Sequence, residues 1–279
     1  ADTSMEMVSY YAILASSKLA KERGTYETYK GSKWDRGILP IDTLALLEEE
    51  RGITIDVDRS STMDWEPVRQ HIREYGMRNS NTLAVAPTAT IANISGCTPT
   101  IEPIYKNIYV KSNQGGDFLV INTYLINDLK KLGLWNPIML KKLKYYDGNI
   151  SQIEEIPLNL RNKYKEVFDI APDWLIKATA YRGKWIDQSQ SFNIYYAGTN
   201  GADIDKIYRT VWDMGLKTTY YLRTLGASQV EKSTVGTTEY GATHTRGQST
   251  TLTGNNTEAA ETEAAIATAS SEQVASSAE

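Results

Sequence analysis

The chain has 279 residues, of which 30 are Lys or Arg and 34 are Asp or Glu, so its formal net charge is −4. This composition is ordinary for a globular protein, and no run approaches the roughly 18 apolar residues that a membrane span needs. One cysteine, Cys97, and two separated histidines, His71 and His244, argue against a disulfide, a dithiol couple and a metal cluster. Since no secretory signal is apparent either, we expect a cytoplasmic protein with no membrane partner.

The charge is spread unevenly along the chain. Residues 225–279 hold seven acidic and two basic residues, a net charge of −5, which leaves +1 for residues 1–224. A nearly neutral body offers no basic stripe to a nucleic-acid backbone, so no nucleic-acid partner is expected. Residues 225–279 are rich in Thr, Ser, Ala, Gly and Glu. This composition predicts a disordered tail, because it buries too little apolar surface to offset its ordering entropy.

Helix and strand patterns alternate through residues 1–224. Helices are predicted at 5–23, 40–50, 64–75, 117–133, 136–146, 171–185 and 203–215. Strands are predicted at 82–86, 107–112, 186–198 and 217–224. In the helix at 171–185, Asp173 is the expected cap and Gly183 the expected stop, and both faces of the strand at 82–86 are expected to be covered. Helices that lead into short buried strands favour an α/β fold with parallel strands.

A candidate anion site follows the first predicted strand. Pro87, Thr88, Ala89, Thr90 and Ile91 stand where that strand meets a short helix-forming stretch. Backbone N–H groups at such a junction bind anions, and threonine hydroxyls add further donors. The segment lacks the Gly-rich pattern with Lys-Ser/Thr of a P-loop. From the residues alone, a plain helix cap and a phosphate-binding loop both remain open.

A second candidate is the pair Tyr220 and Tyr221. The chain has 18 tyrosines, and Tyr-Tyr also occurs at 10–11, 145–146 and 195–196, so the dipeptide alone indicates no function. The pair at 220–221 differs in its setting, KTTYYLRT, which follows an amphipathic segment and precedes the polar tail.

Other reactive side chains carry weaker signals. Asp56, Asp58 and the acidic run 48–50 are typical of a solvated turn and a helix face rather than of a metal site. Cys97 lies in a turn bounded by Gly and Pro with no histidine nearby in sequence, and we interpret it as structural.

Five strings together resemble one enzyme family in order and spacing. They are GMRNSN at 76–81, APTATIANISG at 86–96, IEP at 101–103, IDQSQSFN at 186–193 and GLKTTYYLRT at 215–224. Over residues 1 to about 232 the chain resembles the large, catalytic alpha subunit of class I ribonucleotide reductase, a ribonucleoside-diphosphate reductase. The resemblance implies an α/β fold, namely the second half of the family's ten-stranded α/β barrel, at 1–224, followed by the tail.

The resemblance also implies roles for individual residues. Pro87 to Ile91 correspond to the loop that holds the diphosphate of a ribonucleoside diphosphate substrate. Tyr220 and Tyr221 correspond to the inner and outer members of a stacked pair that relays a radical. The helix at 203–215 corresponds to the region where the C-terminal peptide of the small (beta) subunit docks. The dimetal radical cofactor is expected in that small subunit and none in this chain, and the product is a deoxyribonucleotide for DNA replication.

The chain also departs from the family pattern. The radical-forming cysteine, its Asn and Glu helpers and the two reducing cysteines are absent, so the missing N-terminal part of the large subunit is expected as a partner that supplies them. The N-terminal ATP-binding region and the paired cysteines of the tail are absent too. We therefore expect a fragment, either a split-gene product or a truncated chain. Two alternatives stay open: a non-catalytic barrel fragment that binds and regulates the small subunit, and a simple nucleotide-binding module.

Overall fold

A computed structural model describes residues 1–113 and 116–224. Over these residues the helices are α1 (Asp2–Arg23), α2 (Thr43–Arg51), α3 (Glu66–Tyr75), α4 (Ala89–Ile94), α5 (Thr123–Lys131), α6 (Pro137–Tyr145), α7 (Leu158–Lys163), α8 (Pro172–Gly183) and α9 (Gly201–Asp213). The strands are β1 (Ile108–Asn113), β2 (Gly116–Ile121), β3 (Ile194–Tyr196) and β4 (Leu222–Thr224). Across these two ranges, every helix is too short or too polar to cross a membrane. The tail predicted at 225–279 lies outside the described residues.

The N-terminal helix α1 packs against α3 around a core rich in tryptophan. The rings of Trp65 and Trp185 stack with their centroids 5.5 Å apart. The indole Nε1 of Trp185 donates to Asp2 Oδ1 at 2.6 Å, and the hydroxyl of Ser9 donates to the Trp185 carbonyl at 2.6 Å. These contacts anchor α1 to residue 185, and both helices agree with the predictions at 5–23 and 64–75 to within three residues at each end.

Residues 108–121 form a β-hairpin, which shows that one prediction is wrong. The sequence predicts a helix at 117–133, but Gly116–Ile121 forms β2, which pairs antiparallel with β1 in the register Val110↔Leu119. The helix α5 begins only at Thr123, because the side chain of Asn122 accepts hydrogen bonds from the backbone N–H groups of Tyr124 and Leu125. Asn122 is an N-cap, and this residue type ends a strand and begins a helix efficiently.

Helices α5, α6 and α7 surround a separate apolar core. Its fully buried members include Leu125, Leu129 and Leu143, each 0% exposed. Asn136 caps α6 by accepting a hydrogen bond from Met139 N at 2.9 Å. The prediction of a helix at 136–146 is therefore confirmed to within one residue.

The third core lies beneath parallel strands. β3 pairs in parallel with β4 in the register Ile194↔Leu222, and Val85 forms a parallel bridge with Gln190. Phe192, Ile194 and the α9 residues Ile207 and Val211 are buried in this core. The chain therefore combines parallel strands with helices, which confirms the α/β class, while the pairings among the described residues stop short of a closed barrel.

Two local predictions are wrong. The segment 82–86 pairs along one edge only, at Val85, and Ala84 and Ala86 are exposed, so its faces are not both covered. The helix α8 has Ala171 rather than Asp173 as its N-cap, because Pro172 supplies the fixed backbone angle of the first helical position.

Candidate functional site

The segment 83–85 positions the predicted anion loop. Gln188 N donates to the Leu83 carbonyl at 3.1 Å, and Ser191 N donates to the Val85 carbonyl at 2.8 Å. The loop 87–91 therefore leaves the carboxyl end of a segment that runs parallel to 188–191. Ligands of open α/β sheets bind at this end of the strands.

Thr88 has an unusual backbone conformation. Its φ angle is +53°, in the left-handed region, which is uncommon for a β-branched residue and is found mainly where the surrounding structure imposes it, often at functional sites. The Thr88 carbonyl accepts from Ala92 N at 3.1 Å, so α4 starts directly after this turn. The first N–H groups of a helix have no partner within it. Thr88 and Thr90 are both exposed, so their hydroxyls are available in addition to these N–H groups.

The surface around α4 is open. Ile91 is 66% exposed and Ile94 is 84% exposed, whereas Ala92 is buried. Cys97, in the turn that follows, is a free and exposed cysteine. The predicted loop residues are thus brought together as a short exposed turn that offers hydroxyl and N–H donors.

The backbone of the tyrosine pair is hydrogen-bonded to residues at and just before the start of β3. Tyr220 N donates to the Phe192 carbonyl at 2.6 Å, and Ile194 N donates to the Tyr221 carbonyl at 2.8 Å. These hydrogen bonds place Tyr220 and Tyr221 directly before β4, where each side chain is about half exposed. The backbone of the pair is therefore fixed while its rings face outward.

The two rings are in direct contact. Their centroids lie 4.0 Å apart, and the hydroxyl of Tyr220 donates to the hydroxyl oxygen of Tyr221 at 3.1 Å. This hydrogen bond raises the pKa of Tyr220 above its ordinary value. The guanidinium of Arg223 lies 4.8 Å from the centroid of the Tyr221 ring. The pair thus presents two phenol rings that are in contact and joined by a hydrogen bond between their hydroxyls.

The other tyrosine pair of this sheet has a different environment. Tyr195 is buried, and its hydroxyl donates to Glu102 Oε2 at 2.8 Å. Burial, together with this bond, raises the pKa of Tyr195. The hydroxyl of Tyr196 donates to Asp203 instead. Tyr195 and Tyr196 therefore point to separate partners and do not form a stacked pair.

Glu102 is a site residue to which the sequence assigned no role. It is 8% exposed, and its carboxylate accepts from Asn193 N at 2.7 Å, from Asn193 Nδ2 at 2.8 Å and from Tyr195. The sequence does carry one indication of a role for this carboxylate, because Glu102 is the single charged residue between Arg78 and Lys106. Glu102 joins the segment after α4 to the strand that holds the tyrosine pair.

The predicted docking helix is α9, at Gly201–Asp213 rather than 203–215. Ile207 and Val211 face the core, while Trp212 on the outer side is 56% exposed. The guanidinium of Arg51 lies 3.5 Å from the Trp212 ring centroid, and its Nη1 donates to the Trp212 carbonyl at 2.7 Å. A groove of about 490 Å³ runs between α2 and α9 beside this contact.

Metal-ligating side chains do not converge in the part of the chain that the structure describes. Within it, no group of three or more His, Cys, Asp or Glu side chains is placed to hold a metal ion. The candidate site therefore consists of the turn at 87–91, the tyrosine pair at 220–221 and the groove beside α9.

Comparison with known proteins decides the family. The family model of the ribonucleotide reductase barrel domain matches residues 1–222. The chain belongs to this family. It is 55% identical over 233 residues to the ribonucleoside-diphosphate reductase subunit alpha of Chlamydia pneumoniae, an alignment that covers 83% of this chain and 22% of that protein.

More distant reductases match the same region. The large subunit of the ribonucleoside-diphosphate reductase of Acanthamoeba polyphaga mimivirus is 38% identical over 229 residues, 81% of this chain and 25% of that protein. The large subunit of Trypanosoma brucei brucei is 39% identical over 236 residues, 82% of this chain and 28% of that protein. The chain thus spans about a quarter of the length of these reductase subunits.

Proposed function

We propose that this chain is the C-terminal part of the catalytic subunit of a ribonucleoside-diphosphate reductase, folded as the second half of the family's α/β barrel. Its task is to bind the substrate diphosphate and to deliver a radical for replacing the ribose 2′-OH by hydrogen. The observation that carries this proposal is the pair Tyr220 and Tyr221, with a hydroxyl separation of 3.1 Å and a centroid separation of 4.0 Å.

The tyrosine pair suits radical transfer for a chemical reason. A phenol can give up an electron and its proton together, and its ordinary pKa near 10 keeps it protonated at rest. The raised pKa of Tyr220 strengthens that condition. Because both rings are about half exposed, Tyr221 is accessible to a partner protein and Tyr220 is in contact with Tyr221.

The turn at 87–91 is proposed to hold the substrate diphosphate. Thr88 and Thr90 would donate from their hydroxyls, and the N–H groups at the start of α4 would add backbone donors to the same anion. This chain cannot supply the pair of thiols for the reduction, since its sequence has one cysteine, Cys97, which lies on the exposed turn after α4. The N-terminal part of the large subunit is the proposed source of those thiols.

The small subunit is the proposed radical donor, and its dimetal cofactor belongs to that protein rather than to this chain. We place its C-terminal peptide in the groove beside α9. The exposed ring of Trp212 offers an apolar contact, and the guanidinium of Arg51 beside it offers a positive charge. Apolar and charged contacts along one helix face are a common mode of peptide recognition.

The same groove favours a second candidate function, in which the chain binds the small subunit and regulates it without catalysis. Reconstitution separates the two. The chain is mixed with the N-terminal part of a related large subunit and with a small subunit, and complex formation is checked by gel filtration. We expect the complex to convert labelled CDP to dCDP, and the chain with the small subunit alone to produce none. A complete complex without turnover would leave only the regulatory function.

A further inference from the structure

The structure contains a cavity of about 670 Å³. Its walls include Ser80 and Asn81, which precede the segment 83–85, and the segments 186–190 and 214–218, which lead into β3 and β4. It therefore opens at the amino ends of the parallel strands, whereas the turn at 87–91 follows a carboxyl end. Its volume is in the range of small-molecule sites, about 300–1,000 Å³.

The charged lining of this cavity is mainly basic. The basic residues are Lys33, Arg36, Lys184 and Lys217, and the acidic ones are Glu50 and Asp187. Lys184 already pairs with Asp2, with a separation of 3.0 Å. Both Asp187 oxygens already accept hydrogen bonds, from Thr82 and from Leu83 N. The residues that the structure describes provide no ion-pair partner within 4 Å for Lys33, Arg36 or Lys217.

Lys217 is held in place at the cavity wall. Its ammonium donates to the carbonyls of Ile186 and Gln188, which leaves one of its three N–H donors. Lys217 is exposed as a residue, but desolvation of its ammonium by the surrounding wall lowers its pKa to about 8, against the opposing charge of Asp187. The charge of Lys33 lowers this pKa further. Lys33 and Lys217 both belong to the lining of this one cavity, where their like charges oppose each other.

A second wall of the cavity is apolar. It is lined by Leu44, Leu47 and Leu216. Of these residues, Leu44 and Leu216 are largely buried and Leu47 is partly exposed. A ligand that meets both walls has an anionic group and an apolar body. Lysine binds phosphate as a compact point charge, and a phosphate dianion between two ammonium groups removes their mutual repulsion.

We propose that this cavity is a binding site for a small organic phosphate. The phosphate group contacts Lys33 and Lys217, and the apolar body contacts Leu44 and Leu216. The site is separate from the turn at 87–91, and it does not depend on the function proposed above.

The test uses phenyl phosphate and the 279-residue chain in isothermal titration calorimetry at pH 7. The key variant is Lys33→Gln, because Lys33 is exposed and its replacement leaves the core intact. The matched control is Lys30→Gln, whose side chain is 90% exposed and pairs with Asp35 outside the cavity lining.

We expect Lys33→Gln to weaken phenyl phosphate binding at least fivefold and Lys30→Gln to bind like the original chain. Inorganic phosphate should bind more weakly than phenyl phosphate, because it lacks the apolar body. Acetylation by acetic anhydride, read by mass spectrometry, should fall at Lys33 and Lys217 but not at Lys30 when phenyl phosphate is present. Equal affinity of the Lys33 and Lys30 variants, or unprotected Lys217, would overturn the proposal.

Discussion

Glu102 and Asn193, 91 residues apart in the chain, are joined by two hydrogen bonds: Glu102 Oε1 accepts from Asn193 N, and Oε2 accepts from Asn193 Nδ2. Oε2 also accepts from the hydroxyl of Tyr195. Asn193 lies between Phe192 and Ile194, whose backbone groups bond to Tyr220 and Tyr221. One buried carboxylate therefore holds the strand on which the tyrosine pair depends.

Replacing Glu102 by Ala should destabilise the fold. The variant leaves the N–H of Asn193 and the hydroxyl of Tyr195 buried without an acceptor, at a cost of about 1–3 kcal/mol for each group. We expect the free energy of unfolding, measured by urea titration, to fall by about 3 kcal/mol. Glu27→Ala, at an exposed position, is the control and should change it by less than about 0.5 kcal/mol. An equal effect of the two variants would show that the carboxylate of Glu102 is dispensable.

The Glu102 contact also marks the limit of prediction from the sequence. Helices such as α1 and α6 follow from apolar spacing and from local start and stop residues, and their bounds agree with the structure to within a few residues. The hairpin of β1 and β2 was missed because the run FLVI at 118–121 is apolar in either a helix or a strand. The partner of Glu102 is 91 residues away, so no local pattern contains it.

The candidate site likewise has parts that the sequence predicts and parts that it does not. The turn at 87–91 and the pair at 220–221 were located from short strings, because each lies within a few consecutive residues. The ladder that supports the pair, from Phe192 and Ile194, depends on the alignment of two distant strands. The contact of Arg51 with Trp212 spans 161 residues and was not predicted for the same reason.

Glu166 makes stability depend on pH. It is 7% exposed, accepts from Asn107 N at 2.7 Å, and lies against Gly148, where a side chain would collide with the carboxylate. Burial raises the pKa of Glu166 from 4.5 to about 7. The hydrogen bond from Asn107 and the charge of Lys106 oppose this rise, whereas the charges of Asp169 and Asp147 add to it.

The sign of this pH dependence follows from the raised pKa. Between pH 4.5 and 7 the folded protein keeps a proton that the unfolded chain has lost, so stability is highest below this window and falls as pH rises through it. Glu166→Gln keeps an acceptor for Asn107 and cannot ionise. Relative to this variant, the original chain should lose up to about 3 kcal/mol between pH 4.5 and 8 in urea titrations. Glu154→Gln, at an exposed position, should retain the original pH dependence; an identical profile for Glu166→Gln would contradict the assignment.

Replacing Thr88 and Thr90 together by Val should weaken substrate binding. Valine keeps the β-branched shape, so the strain at Thr88, whose φ is +53°, stays the same in the variant. Each lost hydroxyl removes a charge-assisted hydrogen bond of about 1.5–3 kcal/mol. In the reassembled enzyme, the affinity for CDP should fall more than tenfold by equilibrium dialysis. Thr3→Val, on the exposed side of α1, should bind CDP normally. Unchanged affinity in the double variant would make the turn an ordinary helix cap.

The sharpest prediction concerns the hydroxyls of Tyr220 and Tyr221. Phenylalanine keeps the ring and its packing, removes the hydroxyl and cannot be oxidised at an accessible potential. Because the rings are in contact and joined by one hydrogen bond, the loss of either hydroxyl breaks the relay while the backbone ladder remains. Tyr220→Phe and Tyr221→Phe should each abolish turnover of CDP in the reconstituted complex, with CDP binding and small-subunit binding unchanged.

The pair at 195–196 supplies the control. Tyr195→Phe removes a buried hydrogen bond to Glu102, so it should lower the free energy of unfolding by about 1.5–3 kcal/mol, the range for a bond to a charged group, yet keep turnover. Tyr196→Phe removes an exposed bond to Asp203 and should change neither. This contrast separates a redox role from a packing role, because the loss of a packing contact lowers stability, whereas the loss of a relay hydroxyl abolishes turnover with the fold intact. Substantial turnover in Tyr220→Phe or Tyr221→Phe would refute the relay and, with it, the main reason for assigning a catalytic function to this chain.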